Sequence, residues 1–485
     1  MPILVKAFAE MGAVWALFLV SQVCTGFVVL LCSCFYQPRT ALGLGFKERR
    51  NLAEPRFFIL FEITSLYVCL PALSKSPLTP TKTLFTFLIA SLTVFISCKQ
   101  ETSLKPKVGD WTLHFLVEDL RIPIRLHIDS TGVFSVFNAE EVIQLDSVVY
   151  VGDSFKVEMP LFQSELVGKV WSADSISGHW KDRSRPDNYK VNFTAVPGNI
   201  RFLSNVESTW ETYDVTFSPD SAENVYKAVL KLATTADKSR VKGTFLTETG
   251  DYRYLSGERT GEKFYLSCFD GSHLFYFDGI FNGDSIIAGN FASGKHWSEP
   301  WEARADENAG LHDPDSLTTL VGNGAPFSFN AKNLQGDPVT FENGFFKDKV
   351  TLVQIFGSWC PNCTDESRWL KGVYDQYQSE GFQVVPVAFE RGTELSQMLS
   401  GVQKQWRELE MPYPVFIGGQ SHKGEAGKVF SMLSKVMSYP TAIILDKNGQ
   451  VRKIHTGFYG PGTGKYYAHH TEKLEMFIRQ LLEEE

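Results

Sequence analysis

Hydrophobic positions follow three successive rhythms along this chain. Before Cys98 they run together: residues 12–36 are nearly free of charge, residues 57–73 form a shorter stretch interrupted by Glu62, and Lys82 precedes an apolar run over 84–97. About 20 such residues are enough to span a bilayer as a helix. From Trp111 to Ala303 apolar and polar residues alternate in short runs, the signature of half-buried strands. Leu126-His127-Ile128-Asp129 and Val133-Phe134-Ser135-Val136 flank Ser130-Thr131-Gly132, and the runs 264–269 and 274–277 flank Asp270-Gly271, which predicts a two-residue hairpin turn. After a polar linker, strand and helix patterns take turns, predicting α/β packing. The run 350–356 suits a buried central strand, and Trp369, Leu370, Val373, Tyr374 and Tyr377 recur on one helical face.

Two segments of the β-rich region echo each other. Gly152-Asp153-Ser154-Phe155 leads to Asp174-Ser175-Ile176 and Gly178-His179-Trp180, and Gly261-Glu262-Lys263-Phe264 leads at nearly the same spacing to Asp284-Ser285-Ile286 and Gly289-Asn290-Phe291. A single copy would leave an apolar face uncovered, so the pair predicts one antiparallel barrel or sandwich closed by both copies. The expected fold is therefore multidomain, an antiparallel all-β barrel or sandwich followed by an α/β domain. The expected boundaries are a hydrophobic targeting region over 1–97, a tether over 98–107, the β-rich domain over 108–304, a linker over 305–316 and the α/β domain over 317–485.

The net charge of -8 carries no basic stripe, so nucleic acid is not an expected partner. Eight cysteines are few for 485 residues and argue against a disulfide scaffold. Their placement says more: Cys24, Cys32, Cys34, Cys69 and Cys98 belong to the apolar N-terminal region, leaving Cys268, Cys360 and Cys363 for the rest. A positive residue, an apolar run and a small residue before a cut form a secretory signal, here at about 79–97. With Cys98 directly after Ser97, the pattern resembles a bacterial lipobox, relaxed by Phe95 where leucine is usual, which implies lipidation of Cys98. The competing reading makes 84–97 a membrane helix and Cys98 incidental. A signal would begin a chain, so the preceding residues read as a start assigned too far upstream.

Ser267-Cys268-Phe269-Asp270-Gly271-Ser272-His273 puts a thiol, a carboxylate and an imidazole close together. The chemical reading is a nucleophile or metal site. The plainer one, which explains Asp-Gly without further help, is a hairpin with Cys268 as a small core residue. Stronger chemistry lies at Trp359-Cys360-Pro361-Asn362-Cys363, between predicted strand and helix. There the first cysteine meets unpaired backbone N–H groups and the helix dipole, which favour a thiolate, the attacking species. The second lies one turn along, placed to attack a mixed disulfide. Pro361 suits a first helical turn, where its missing N–H costs nothing. Cys360 is thus the expected nucleophile and Cys363 the resolving thiol. A zinc site would need a second ligand pair that the surrounding sequence lacks, so no metal is expected.

These residues resemble the TlpA-like (ResA-like) branch of the thioredoxin superfamily, the extracytoplasmic thiol–disulfide oxidoreductases, from about Leu317 onward. Trp359 precedes the pair as in that family, and Glu366, three residues after Cys363, matches its Cys-x-x-Cys-x-x-Glu pattern. The resemblance implies that Glu366 accepts the proton of the resolving thiol; the rival reading is an exposed helix-surface glutamate. Gln354, six before Cys360, stands where cytoplasmic thioredoxins carry a buried aspartate. The resemblance also implies a cis Tyr439–Pro440 bond beside the pair, and makes Trp359, Pro361, Tyr439 and Pro440 the substrate-binding residues. A helical insertion lies between strand 384–389 and Pro440, and Pro386 predicts a bulge in that strand. The implied protein is a membrane-anchored enzyme on the periplasmic side of the envelope, needing no bound cofactor. It would exchange disulfides with envelope proteins, with reduction the expected direction and a membrane electron donor resupplying the dithiol. Two alternatives stay open. One is a peroxiredoxin-like peroxidase, weakened because Gly357-Ser358-Trp359 replaces a Thr-x-x approach. The other is a ligand-binding lipoprotein with the thioredoxin-like domain as scaffold.

Overall fold

Alternation along the chain becomes pleat. In the strand Leu120–Ile128, Ile122, Ile124, Leu126 and Ile128 are buried and the residues between them are not. The computed structural model describes residues 104–185, 188–198, 208–322 and 326–484, all within one compact unit. The apolar stretches before Cys98, and Cys98 itself, lie outside the described residues. Among the described residues no helix is long and apolar enough to cross a membrane.

The first sheet has nine antiparallel strands between Gly109 and Pro197. Gly109–Val117 pairs with Leu120–Ile128 on one side and Lys190–Pro197 on the other, which joins the first strand to the last. The edges, Glu141–Leu145 and Val149–Val151, are not paired to each other, so the sheet is an open half-barrel. The second sheet closes. Tyr226–Thr235 pairs with Ser208–Phe217 and also with Arg240–Thr247, completing a ring of eight strands that ends with Trp297–Ala305 against Ser208–Phe217. Phe245, Phe277 and Phe291 stack inside it at 4.3 and 4.4 Å between centroids.

The two similar segments coincide with two four-strand meanders, one beginning at Ser154–Glu158 and the other at Lys263–Phe269. They do not close one barrel together, as the repeat suggested. Each has its own sheet, because the long hairpin 208–235 supplies the strands that close the second ring alone. The first sheet covers its apolar face by borrowing: Phe269 of the second packs against Phe115 at 4.8 Å and Trp180 at 5.2 Å. Its neighbour Cys268 points the other way, into the barrel core, and is fully buried. The turn after them is longer than two residues. Asp270, Gly271, Ser272 and His273 separate the paired Phe269 and Leu274, and the Asp270 carboxylate accepts the N–H groups of Ser272 and His273 at 2.8 and 2.7 Å.

The third sheet is thioredoxin-like, with seven strands around Val350–Phe356, buried at every position. That strand runs parallel to Phe382–Glu390 and antiparallel to Thr441–Leu445. The predicted insertion contains the helices Leu395–Glu408 and Lys423–Val429, and the chain closes on Lys465–Glu483. Pro386 makes no bulge. The register breaks later, between Ala388 and Phe389; the proline is tolerated because the neighbouring strand Phe416–Gln420 begins opposite Val387 and leaves it without a partner on that side.

One buried cation joins the three sheets. Arg253 of the barrel, in a left-handed conformation (φ 69°), donates to Glu141 of the first sheet at 2.7 Å and to Asp365 of the helix Pro361–Tyr377, and lies 3.7 Å from Asp270. Burial opposes its charge, but Asp365, Glu141 and Asp270 together hold the guanidinium protonated well above its usual range. Removing one side of a buried ion pair strands the other. Arg253→Ala should therefore lower stability by about 3–5 kcal/mol, read as a fall in the urea midpoint. A loss below about 1 kcal/mol, the scale of an exposed pair, would mean that the carboxylates are not held by this arginine.

Candidate active site

The central strand Val350–Phe356 delivers the chain to Gly357, where the indole of Trp359 comes so close that a Cβ would lie 2.4 Å from its Nε1. That indole N–H donates to the Phe389 carbonyl at 3.0 Å, and its ring meets Tyr439 edge-on at 5.7 Å. The Arg391 guanidinium stands 4.6 Å over the same ring. Cys360 is the N-cap of the helix Pro361–Tyr377: its backbone is extended and its sulfur accepts the Cys363 N–H at 3.4 Å. Pro361 opens the helix. The Cys360 thiol also donates to the Tyr439 carbonyl at 3.4 Å, and the Tyr439–Pro440 bond is cis.

Cys363 is fully buried, and its thiol is pushed well up by that burial and then by its hydrogen bond and proximity to Cys360. One turn further along, Glu366 is also fully buried, which removes the reading of an exposed surface glutamate. Its Oε2 accepts the Gln354 amide at 2.8 Å, while Oε1 has no hydrogen-bond partner among the described residues. Burial raises this carboxyl to about 8, against the modest opposing effect of Gln354.

The fold thus brings Trp359, Cys360, Pro361, Cys363, Glu366, Tyr439 and Pro440 to one place. Cys268 is not among them; its thiol is pushed up by burial in the barrel core. Three contributors went unread in the sequence. Glu390 accepts the Ser358 backbone N–H at 2.6 Å and the Ser358 hydroxyl at 2.7 Å, and burial raises it to about 7. Gln405 donates to Thr364 at 2.7 Å and to the Ser358 carbonyl at 3.3 Å. Arg391 is held by Ser184 of the first sheet at 2.9 Å. A carboxylate ending an apolar strand, as Glu390 does in Val387-Ala388-Phe389-Glu390, was the only available signal.

The Redoxin family profile matches residues 320–466. The thiol-disulfide oxidoreductase ResA of Geobacillus thermodenitrificans is 26% identical over 143 residues, 30% of this chain and 73% of that protein. The sporulation thiol-disulfide oxidoreductase A of Bacillus subtilis is 24% identical over 132 residues, 27% of this chain and 72% of that one. The crystal structure of StoA from Bacillus subtilis aligns with 32% of this chain and 97% of its own at 22% identity, with a TM-score of 0.23. The chain carries a ResA-like domain of the thioredoxin superfamily and is a thiol–disulfide oxidoreductase. The first and second sheets lie outside the span matched to Redoxin.

If Glu366, whose Oε1 has no hydrogen-bond partner among the described residues, takes the Cys363 proton as the resemblance implies, its titration should show in the resolving step. Below pH of about 8 the carboxyl is mostly protonated and cannot accept it, so resolution of a mixed disulfide on Cys360 should accelerate as pH rises through that value. Glu366→Gln should abolish the inflection and slow the step by on the order of 10². Stopped-flow release of a chromophoric thiol from Cys360 measures both. Identical pH profiles in the two proteins would move the base elsewhere.

Proposed function

We propose that this protein is an envelope-anchored disulfide reductase acting on protein disulfides through the Cys360–Cys363 dithiol. The observation that carries the reading is the division of labour along one helix turn, with the Cys360 sulfur at the N-cap and a buried Glu366 beside a buried Cys363. In the forward direction the Cys360 thiolate attacks one sulfur of the substrate disulfide. A new S–S bond forms to Cys360, the substrate S–S bond breaks, and the released substrate thiolate takes up a proton. Cys363 then loses its proton to Glu366 and attacks the Cys360 sulfur. The mixed disulfide breaks, the second substrate thiol leaves, and Cys360–Cys363 is left oxidised.

The substrate gains two electrons, so a membrane-borne dithiol donor must return two before the next cycle. Trp359, Pro361, Tyr439 and Pro440 border the reacting sulfur and are the residues to hold the substrate chain. Anchorage rests on the N-terminal sequence, with a lipid on Cys98 or an N-terminal membrane helix facing the pair to the periplasmic side.

Removing the resolving thiol should stall the cycle at its first product. Cys363→Ala expressed in the native envelope should accumulate mixed disulfides on Cys360, released by reductant and identifiable by mass. Cys360→Ser should accumulate none and lose insulin-disulfide reduction by at least about 10³, as expected when the nucleophile itself is removed. A Cys363→Ala protein that traps nothing would end the case for protein disulfides.

A further inference from the structure

The redox pair is covered by the same chain. Cys360 is only 8% exposed, and Trp359 before it, Asn362 two residues after it and Ser438, next to its partner Tyr439, are each tied to the β-rich part. Ser272 Oγ donates to the Trp359 carbonyl at 2.5 Å, Asn362 Nδ2 donates to the Asp251 carbonyl at 3.2 Å, and Ser438 Oγ donates to the Thr249 carbonyl at 2.7 Å. Between the last two, Gly250 presses so closely that a Cβ there would lie 2.1 Å from Asn362 Nδ2, at a φ of +139°. The Asp251 carboxylate accepts the Gly460 N–H at 2.6 Å, fixing the same turn to the segment after the strand Val451–Thr456. From the other side, Ser184 and Asp182 of the first sheet hold Arg391 over Trp359, at 2.9 and 3.5 Å. Arg253 ties the base of the turn to Asp365 on the active-site helix.

Disulfide exchange needs the three sulfurs nearly in line, so an incoming disulfide must bring a second sulfur and its chain directly behind the first. The turn 248–251 and Ser272 stand against the residues that border that approach. We propose that the β-rich part is a cap on the resting dithiol, with the turn at Gly250 as its seat and Arg253 as its latch. A protein disulfide then reaches Cys360 only after the cap is displaced. This rests on the oxidoreductase reading and adds a condition to it: the β-rich part sets which disulfides react, and when.

The test compares two alkylating reagents on the reduced full chain, a small maleimide and a polymer-coupled one, with labelling at Cys360 read by peptide mass. If the open form is populated at about one per cent, the large reagent is slowed on the order of a hundredfold relative to its rate on a free peptide thiol. Gly250→Ala, strained at a φ of +139° and crowding Asn362 and the Phe458 carbonyl, should shrink that penalty at least tenfold. Ser272→Ala, which removes one contact and adds no bulk, should shrink it about threefold and serves if the glycine variant fails to fold. Wild-type Cys360 labelled by the large reagent as readily as a free thiol would overturn the cap, and so would a penalty unchanged in both variants. If the penalty falls but neither variant reduces insulin disulfides, the cap stands and the protein-disulfide reading fails.

Discussion

A guanidinium with almost no water contact must be surrounded by carboxylates, and at Arg253 those carboxylates come from three different parts of the chain. Taking such charges out of water costs several kcal/mol per ion unless the geometry returns it. The half-barrel, the barrel and the ResA-like domain can therefore satisfy this centre only in one arrangement. The choice of Asp365 as a partner also orients the active-site helix. With Asp365 facing the β-rich part, the next residue is rotated about 100° around the helix, and Glu366 turns inward to Gln354. Two adjacent carboxyls on one helix thus meet opposite surroundings. One is held in an ion pair; the other is buried with a single amide donor.

That contrast extends to the second buried carboxyl at the site. Glu390 and Glu366 are both raised chiefly by burial, yet Glu390 accepts two short hydrogen bonds from Ser358 and Glu366 accepts one. Donors to the ionised form pull a carboxyl back down; at Glu390 both Ser358 groups and the Arg391 charge act that way, at Glu366 the Gln354 amide. It also separates their work. Both Glu390 oxygens are occupied in holding Ser358, two residues before the nucleophile, so Glu390 positions the loop. Glu366 keeps one oxygen without a hydrogen-bond partner among the described residues, which the proton acceptor proposed above needs.

Local chemistry was legible in the sequence, and contacts at long separation were not. Strand against helix could be read from period alone, and the redox pair from its place at a strand-to-helix junction. The barrel's closure could not, because it depends on one strand, Tyr226–Thr235, finding two partners. Pro386 misled because a proline's fit depends on where its neighbour begins, which is a property of the pairing partner. Asp270-Gly271 looked like a complete turn because the side-chain hydrogen bonds that extend it to His273 are invisible in a dipeptide. Arg253, Asp251 and Ser272 read as ordinary β-domain residues, yet each touches the active-site helix, the loop before it or the segment beside it.

The cap and the activation of Cys360 answer one physical problem. The Cys360 sulfur caps a helix N-terminus and accepts the Cys363 N–H, and it must act as thiolate to attack a disulfide. Thiolate character and exposure together also determine how readily a cysteine is oxidised to sulfenic acid and beyond. Activation cannot be relaxed without losing exchange, so access is the quantity left to adjust. The ResA-like domain supplies the activation through its own helix. The β-rich part, which lies outside the matched Redoxin span, supplies the cover through carbonyl groups, a glycine and a serine placed around Cys360. A reactive sulfur and its restriction are thereby assigned to different halves of one chain, coupled through Arg253.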